Sequence, residues 1–245
     1  MLFFSKPKPV LADLIPDNYT DIHSHLLPGI DDGAKDIDDT RSLLGSLREL
    51  GFSRFITTPH ILTGVWNNTR EGITALEQDI LLSFGEGVSG ATFKAAAEYF
   101  MDDTFFNLIK EEPLLTLKDN YVLVEMSYLN PPLPLYDILY ELRLRDYVPV
   151  LAHPERYVFY HGNMEYYKKL KKAGCLLQLN LLSVTGYYGK GVAEAATALL
   201  EAGMIDFTGS DVHHNRHAAS FKNKVVLKKT DALERAISNN SVFSW

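Results

Sequence analysis

Histidine and carboxylate side chains recur along this 245-residue chain, each at the end of a short apolar segment. The first group is Asp21-Ile22-His23-Ser24-His25, and the last is Ser210-Asp211-Val212-His213. Imidazole and carboxylate ligands without a thiolate suit divalent ions such as Mn, Fe or Zn. The candidate ligands at the segment ends are His23, His25, His60, Glu98, Glu125, His153, Asp211 and His213.

The spacing of His23 and His25 places both imidazoles on one face of an extended strand. A single pair of this kind arises easily by chance, and one buried histidine is more often an ordinary core residue. The whole series is harder to explain in that way, because burying unpaired charges is costly for each ion. The series therefore predicts a metal centre.

An acidic turn, Gly29-Ile30-Asp31-Asp32-Gly33, follows the first pair of histidines. We predict that Asp31 is a further metal ligand and that Asp32 supports the site or caps the next helix. The alternative is an acidic turn that only caps that helix.

The elements that would position these groups alternate between β-type and helical patterns, which is typical of a parallel sheet covered by helices. Seven such units in about 250 residues predict one α/β domain, a (β/α)7 barrel, whose strand ends meet on one face. The predicted strands are 19–23, 54–58, 92–98, 121–126, 148–152, 176–180 and 206–209.

Helices are predicted between these strands from apolar residues at helical spacing. Asn68 and Glu71 resemble a capping pair for the second helix, and the Gly-rich segment 84–90 reads as a turn. The predicted helices are 38–50, 68–80, 133–145, 164–173, 192–202 and 231–238.

The composition excludes several classes of protein. The formal net charge is -7, with 31 acidic and 24 basic residues, and no basic stripe indicates nucleic-acid binding. No apolar run is long enough for a membrane span or a secretory signal. Cys175 is the one cysteine, so no intrachain disulfide can form, and a reducing, cytoplasmic location fits. Residues 1–18 are expected to be a loose tail, with a small docking contact as the alternative, ahead of a domain at 19–245.

The ordered motifs resemble those of the bacterial capsule-type protein-tyrosine phosphatases of the PHP superfamily. The resemblance begins at Asp21–His25 with the acidic turn and runs to about residue 217. The motifs between these ends are Thr58-Pro59-His60, Glu98, Val124-Glu125, the stretch His153-Pro154-Glu155-Arg156-Tyr157, Gly174-Cys175, and Gln178-Leu179-Asn180.

This resemblance implies a distorted (β/α)7 TIM-like barrel with up to three divalent metals, manganese first, with Fe, Zn or Mg as alternatives. It implies hydrolysis of phosphotyrosine, typically on the tyrosine-rich tail of a bacterial kinase that controls exopolysaccharide synthesis. Arg156 falls where the family binds phosphate, and Arg216 is a candidate for a second phosphate contact. The ligands carried over are His23, His25, Asp31, His60, Glu98, Glu125, His153, Asp211 and His213.

The expected mechanism is attack by a metal-activated hydroxide, since a metal lowers the pKa of its bound water from about 15.7 to about 7. We expect His23, His25 and Asp211 to hold one ion, and Asp31, His60 and His213 to hold another. Glu98 would bridge the first ion to a third, held with Glu125 and His153. His213, His214, His217 or a metal would assist the leaving group, and Tyr187-Tyr188 either shapes the rim or packs as a surface loop.

Other functions remain open at this point. A PHP phosphoesterase acting on histidinol phosphate or another small phosphomonoester would use the same ligands. A non-catalytic interaction module and a metal-dependent amidohydrolase are more distant alternatives. A cysteine mechanism is not favoured, because Cys175 lies in an apolar segment without a phosphate-binding loop. The sequence is compatible with an oligomer.

Overall fold

Strands and helices alternate in the computed structural model, which describes residues 7–84 and 92–245. The strands are β1 (Tyr19–Asp21), β2 (Phe52–Thr57), β3 (His60–Ile61), β4 (Phe93–Ala95), β5 (Glu98–Phe100), β6 (Tyr121–Glu125), β7 (Val148–Ala152), β8 (Leu176–Asn180) and β9 (Phe207–Gly209). The helices are α1 (Ile37–Arg48), α2 (Arg70–Phe84), α3 (Asp103–Glu111), α4 (Leu135–Leu144), α5 (Met164–Lys172), α6 (Lys190–Glu201), α7 (Asn215–Ser220) and α8 (Asp231–Asn239).

The strands form two parallel sheets, in the orders β1-β2-β4 and β3-β5-β6-β7-β8-β9. A parallel bridge between Ser24 and Val212 joins the two outer strands beyond β1 and β9. Two backbone hydrogen bonds reinforce it, from Asp211 N–H to the His23 carbonyl at 2.8 Å and from His25 N–H to the Val212 carbonyl at 3.0 Å. The strands therefore form two parallel sheets linked by this bridge, which agrees with the predicted α/β barrel class.

One of the seven predicted strands is divided into two short strands, and another is followed closely by a short strand that was not predicted. Predicted strand 54–58 corresponds to β2, and β3 follows it after Pro59, which has no N–H to continue the ladder. Predicted strand 92–98 is divided into β4 and β5, which belong to different sheets. This division is the distortion of the barrel, and it brings Glu98 into pairing register with His60.

The apolar core has two parts. One part lies between the strands and the surrounding helices. The other contains side chains from strands of both sheets, including Ile22, Ile56 and Leu123, and is completed by Phe243 near the carboxyl terminus. Glu125 follows Leu123 by two residues on β6 and so lies on the same strand face, nearer the carboxyl end. The interior is thus filled below the level of the predicted site.

The helices differ from prediction by one or two residues at several ends, by two helices that were not predicted, and by the residue that caps α2. Helix α3 was not predicted, although the side chain of Asp102 accepts a hydrogen bond from Phe105 N–H at 2.8 Å and caps it. The short helix α7 was also not predicted. Asn68 does not cap α2; the hydroxyl of Thr69 accepts from Gly72 N–H at 3.2 Å in its place.

Part of the predicted tail packs against the domain. Leu11 is fully buried, and its N–H donates to the Asn223 carbonyl at 2.9 Å. Val10 forms an antiparallel bridge with Lys224. Burial of the apolar side chains of Leu11 and Ile15 stabilises the packed position of this stretch. Residues 10–15 therefore pack against the domain. Residues 1–6 and most of the predicted turn 84–90 lie outside the described residues.

Candidate active site

The predicted ligands converge at the carboxyl ends of the strands. The side chains of His23, His25 and Glu98 are fully buried, and those of His60 and His213 are 14% exposed. These side chains form four groups, and within each group the potential ligand atoms all lie within 4.8 Å of one another. The groups are His23, His25 and Asp211; His23, Glu98 and His153; His60, Glu98 and Glu125; and His25, Asp32, His60 and His213.

The first group matches one predicted ligand set. Asp211 Oδ1 lies 3.3 Å from His23 Nε2 and 3.5 Å from His25 Nε2. The two Nε2 atoms face each other at 3.4 Å. Asp211 has a left-handed backbone, with φ of 50°, which is uncommon for a residue other than glycine and is often found at functional sites.

Glu98 connects two of the groups through its two carboxylate oxygens. Its Oε2 lies 3.2 Å from His23 Nε2 and 3.1 Å from His60 Nδ1, and its Oε1 lies 3.2 Å from His153 Nε2. Glu125 Oε1 lies 2.9 Å from His60 Nδ1. The position of Glu98 is that expected of a carboxylate shared between two ions.

The structure places Asp32, and not Asp31, among the ligand atoms of the fourth group. Asp32 Oδ1 lies 3.5 Å from both His60 Nε2 and His213 Nε2. Asp31 turns the other way: its Oδ2 lies 2.7 Å from His25 Nδ1 and accepts from His60 N–H at 3.2 Å. Asp32 is thus the carboxylate of the acidic turn that faces this group, and Asp31 contacts His25 at the ring nitrogen that faces away from it.

Side chains behind the ligands fix which ring nitrogen faces the centre. The Oε1 of Gln178 lies 2.7 Å from His23 Nδ1, while the Gln178 amide donates to the Leu179 carbonyl at 2.7 Å. His23 Nδ1 is therefore the donor, which leaves Nε2 free to bind an ion. Asn68 donates to the carbonyls of Ile30 and His60 and holds the acidic turn against β3. Sequence reasoning did not assign these supporting roles.

Two glycines permit close backbone approach beneath the site. A Cβ on Gly33 would lie 2.2 Å from the His25 carbonyl oxygen, and one on Gly209 would lie 2.6 Å from His23 Cβ. Real Cβ contacts are not found at such distances, so both positions require glycine. The acidic turn and β9 therefore help to set the positions of His23 and His25.

The electrostatics of the site favour bound cations. Burial would lower the pKa of His23, but Glu98 and Asp211 outweigh burial and raise that pKa to about 9. Burial would raise the pKa of the Asp211 carboxyl, but His23 and His213 hold it well below its usual value. Among the described residues, the buried atoms His60 Nδ1 and Glu98 Oε2 form no hydrogen bond of suitable geometry, although they lie only 3.1 Å apart. Imidazole nitrogens and carboxylate oxygens that are buried without a hydrogen bond can serve as ligands of a divalent ion.

Arg156 lies beside the ligand cluster and is held in a fixed orientation. Its Nη1 donates to Asp211 Oδ2 at 2.7 Å, and its side chain is 22% exposed. The guanidinium lies 4.8 Å from the ring centre of Tyr128 and 4.3 Å from that of Tyr188. Asp211 raises its pKa against the effect of burial, so Arg156 stays charged. This arrangement suits a residue that grips a phosphate.

A cavity of 380 Å³ opens above the cluster. Arg156 and the ligands Asp32, His60 and His153 line its polar side. The rest of its lining includes Leu62, Trp66, Phe100, Tyr128 and Leu129. Such a cavity accepts a flat apolar group that carries a phosphate.

Several other predicted residues lie outside this cavity. Arg216 is exposed and lines a neighbouring cavity, together with His214. His217 Nδ1 accepts from His213 N–H at 3.2 Å, and burial lowers the pKa of His217 to about 4. Tyr187 and Tyr188 pack around Arg156 and His217 and do not line the cavity.

Cys175 has the surroundings of a core residue. It is 1% exposed, and burial raises the pKa of its thiol to about 12. A neutral buried thiol is a poor nucleophile, so the structure agrees with the prediction that no cysteine mechanism operates.

Comparison with known proteins decides the family. The sequence profile for "Capsular polysaccharide synthesis, CpsB/CapC" matches residues 19–236. The chain belongs to this family. The tyrosine-protein phosphatase YwqE of Bacillus subtilis (strain 168) is 29% identical, over 91% of this chain and 93% of the relative. The tyrosine-protein phosphatase CpsB of Streptococcus pneumoniae is 26% identical, over 79% and 82% of the two chains.

Solved structures agree with this assignment to the CpsB/CapC family. A chain from the crystal structures of YwqE from Bacillus subtilis and CpsB from Streptococcus pneumoniae, described as unique metal-dependent tyrosine phosphatases, has a TM-score of 0.79 and 26% identity. That match covers 91% of this chain and 93% of the solved one. A lactonase from Listeria monocytogenes, with a TM-score of 0.53 and 10% identity, shares the fold alone. No helix among the described residues has the length and apolar character of a membrane span.

Proposed function

We propose that this CpsB/CapC-family chain is a metal-dependent protein-tyrosine phosphatase. The observation that carries the proposal is the buried His and carboxylate cluster with Arg156 beside it, at the base of a cavity with an aromatic wall. The named relatives are tyrosine-protein phosphatases, which supports the same activity for this chain.

Up to three divalent ions would be held by the ligand groups described above. His23, His25 and Asp211 would hold one ion, and Glu98 would be shared with the ions bound near His153 and near His60 and Glu125. Asp32 and His213 would complete the set, with Asp31 orienting His25. Manganese is our first choice, because imidazole and carboxylate together suit it, with Fe, Zn or Mg as alternatives. Such ions supply a hydroxide nucleophile near neutral pH and neutralise the phosphate.

The chain's own residues bind and orient the substrate. Arg156 would donate to phosphate oxygens with the nitrogens that Asp211 does not occupy, and it would stabilise the charge that grows in the transition state. The walls at Trp66, Phe100 and Leu129 would pack against the tyrosine ring and exclude water. The phenol group of tyrosine has a pKa of about 10. A phenolate therefore leaves with less help from a proton donor than an alkoxide does.

Arg216 is not assigned to the reacting phosphate in this scheme, because it lines a different cavity. His214 and His217 likewise do not line the active-site cavity, so neither is assigned as the proton donor. His213 would act through an ion, as a ligand.

The family name and the named phosphatase relatives support a proposal for the physiological partner. We propose a phosphotyrosine protein as substrate, namely the tyrosine cluster of a bacterial kinase that controls capsular or exopolysaccharide synthesis, in the cytoplasm. Histidinol phosphate is the competing substrate, since its phosphate would meet the same ligands.

One assay separates these substrates. Manganese-loaded protein is given a phosphotyrosine peptide, histidinol phosphate and a phosphoserine peptide at equal concentrations, and phosphate release is measured. We expect kcat/KM to be highest for phosphotyrosine, because its phenyl ring packs best against the aromatic side chains that line the cavity. Cleavage of histidinol phosphate alone would contradict the proposal.

A further inference from the structure

A second cavity, of 470 Å³, adjoins the active-site cavity. The two cavities share Asp32 and His213, so they meet at the metal cluster. Lys35 and Arg216 line the second cavity and do not line the first. A molecule bound at the metals could therefore extend into it without leaving the protein surface.

The charge of this second cavity is positive once the metal ligands are set aside. Lys35 and Arg216 are both exposed, and neither has an ion-pair partner within 4.0 Å in the described part of the chain. Asp39 is the one carboxylate of the lining besides Asp32, and its Oδ2 accepts from the backbone N–H of Lys35 at 3.3 Å. Two free cations against one carboxylate favour an anionic ligand.

The walls of the second cavity are connected to each other and do not need to be assembled by a ligand. The hydroxyl of Ser42 on α1 donates to Asn215 Oδ1 on α7 at 3.2 Å. The side chain of His214 caps α7 by accepting from His217 N–H at 3.3 Å. Lys35 lies just before α1 and Arg216 lies on α7, so this bond ties together the two elements that place the cations in the lining.

We propose that the second cavity binds an anionic side chain of the substrate peptide, a phosphorylated or acidic residue close in sequence to the phosphotyrosine at the metals. This inference rests on the proposed phosphatase function and adds a preference among phosphotyrosine substrates. An extended peptide advances about 3.3 Å per residue, so a residue a few positions away reaches a neighbouring cavity.

The test compares three peptides that differ at one position near the phosphotyrosine: phosphotyrosine, glutamate or alanine. The position is varied from one to four residues away, on either side. We expect the peptide with two phosphates to have a kcat/KM on the order of tenfold above that of the alanine peptide, about the effect of one charge-assisted hydrogen bond. The glutamate peptide identifies whether a carboxylate serves in place of phosphate.

Variants assign the preference to this cavity. Lys35→Gln should lower the preference severalfold, and the double variant with Arg216→Gln should remove it. Lys172→Gln is the matched control, because Lys172 ends α5 just before β8 and so lies at the opposite end of the barrel. Binding of a non-hydrolysable phosphonate peptide with two anionic groups should weaken in the same order, which gives a readout independent of turnover.

The outcomes separate the two proposals. Equal kcat/KM for all three peptides at every spacing, with phosphotyrosine still cleaved, would overturn the proposed role of the second cavity. It would leave the phosphatase function intact. A preference that survives the double variant would also overturn that role. If no phosphotyrosine peptide is cleaved at all, the phosphatase function fails and this inference fails with it.

Discussion

Replacing Arg156 tests the proposed grip on the phosphate without removing a metal ligand. Removal of one preorganised donor to a transition-state oxyanion costs about 10²–10³ in kcat. Arg156 presents a planar fork whose Nη1 is held by Asp211 at 2.7 Å, which leaves its other donors for phosphate. We therefore expect Arg156→Ala to lower kcat by at least about 10³.

The lysine variant separates charge from geometry. Arg156→Lys keeps a cation but loses the paired donors. Loss of one charge-assisted hydrogen bond is worth about 1.5–3 kcal/mol, or about 10- to 150-fold in rate. Arg156→Lys should therefore retain more activity than Arg156→Ala.

Metal content should not change in either Arg156 variant. Asp211 Oδ2 keeps the hydrogen bond from Asn180 Nδ2 at 2.8 Å, so the carboxylate stays oriented after Arg156 is removed. The assay is steady-state hydrolysis of a phosphotyrosine peptide with bound metal measured on the same sample. Arg145→Ala is the control, since the Arg145 side chain is 41% exposed and its pair with Glu141, one helical turn away, is of a kind that contributes about 0–1 kcal/mol. Activity of a fully metal-loaded Arg156→Ala within tenfold of the wild type would refute the reasoning.

Three further predictions concern residues around the cluster. Asp32→Asn should lower the number of bound ions per chain, whereas Asp31→Asn should weaken metal affinity about 10- to 100-fold and keep the full number at saturation; equal behaviour of the two in metal titrations would contradict their assigned roles. Gly33→Ala should destabilise the fold by at least about 1–3 kcal/mol in denaturant unfolding, because its Cβ meets the backbone of His25; an unchanged midpoint would refute this. Cys175→Ser should keep kcat, and the native thiol should resist alkylation at pH 8, because burial raises its pKa to about 12; an inactive variant with full metal content would favour a cysteine mechanism.

The barrel could be predicted from the sequence because its strands are apolar runs of recognisable length. Val148–Ala152 and Leu176–Asn180 have the predicted bounds, since both are central strands whose ends coincide with the end of the apolar run. The division of predicted strand 92–98 was not visible, because it depends on which neighbour each half pairs with. That choice is made by tertiary contacts.

The ligand types were predictable, but the direction of each side chain was not. Asp31 and Asp32 are adjacent and chemically identical, and only the turn that packs Gly33 against His25 decides which one faces the cluster. Arg216 was expected near the reacting phosphate from its place after His213. The unpredicted helix α7 carries it to the neighbouring cavity instead.

Some supporting residues leave a weak signal in sequence. Gln178 lies in the middle of the apolar strand β8, where a polar side chain is unusual, and it orients His23. Asn68 was interpreted as a helix cap because asparagine is common at that position. Its actual contacts are carbonyls far along the chain, which local patterns do not show.

Removal and restoration of metal tests the central claim most directly, which is that the converging imidazoles and carboxylates work by holding divalent ions. The protein is treated exhaustively with a chelator, bound metal is measured, and phosphotyrosine hydrolysis is followed as manganese is added back. Activity should fall to background in the metal-free protein and return in step with bound manganese. Undiminished turnover in protein shown to contain no metal would contradict the account.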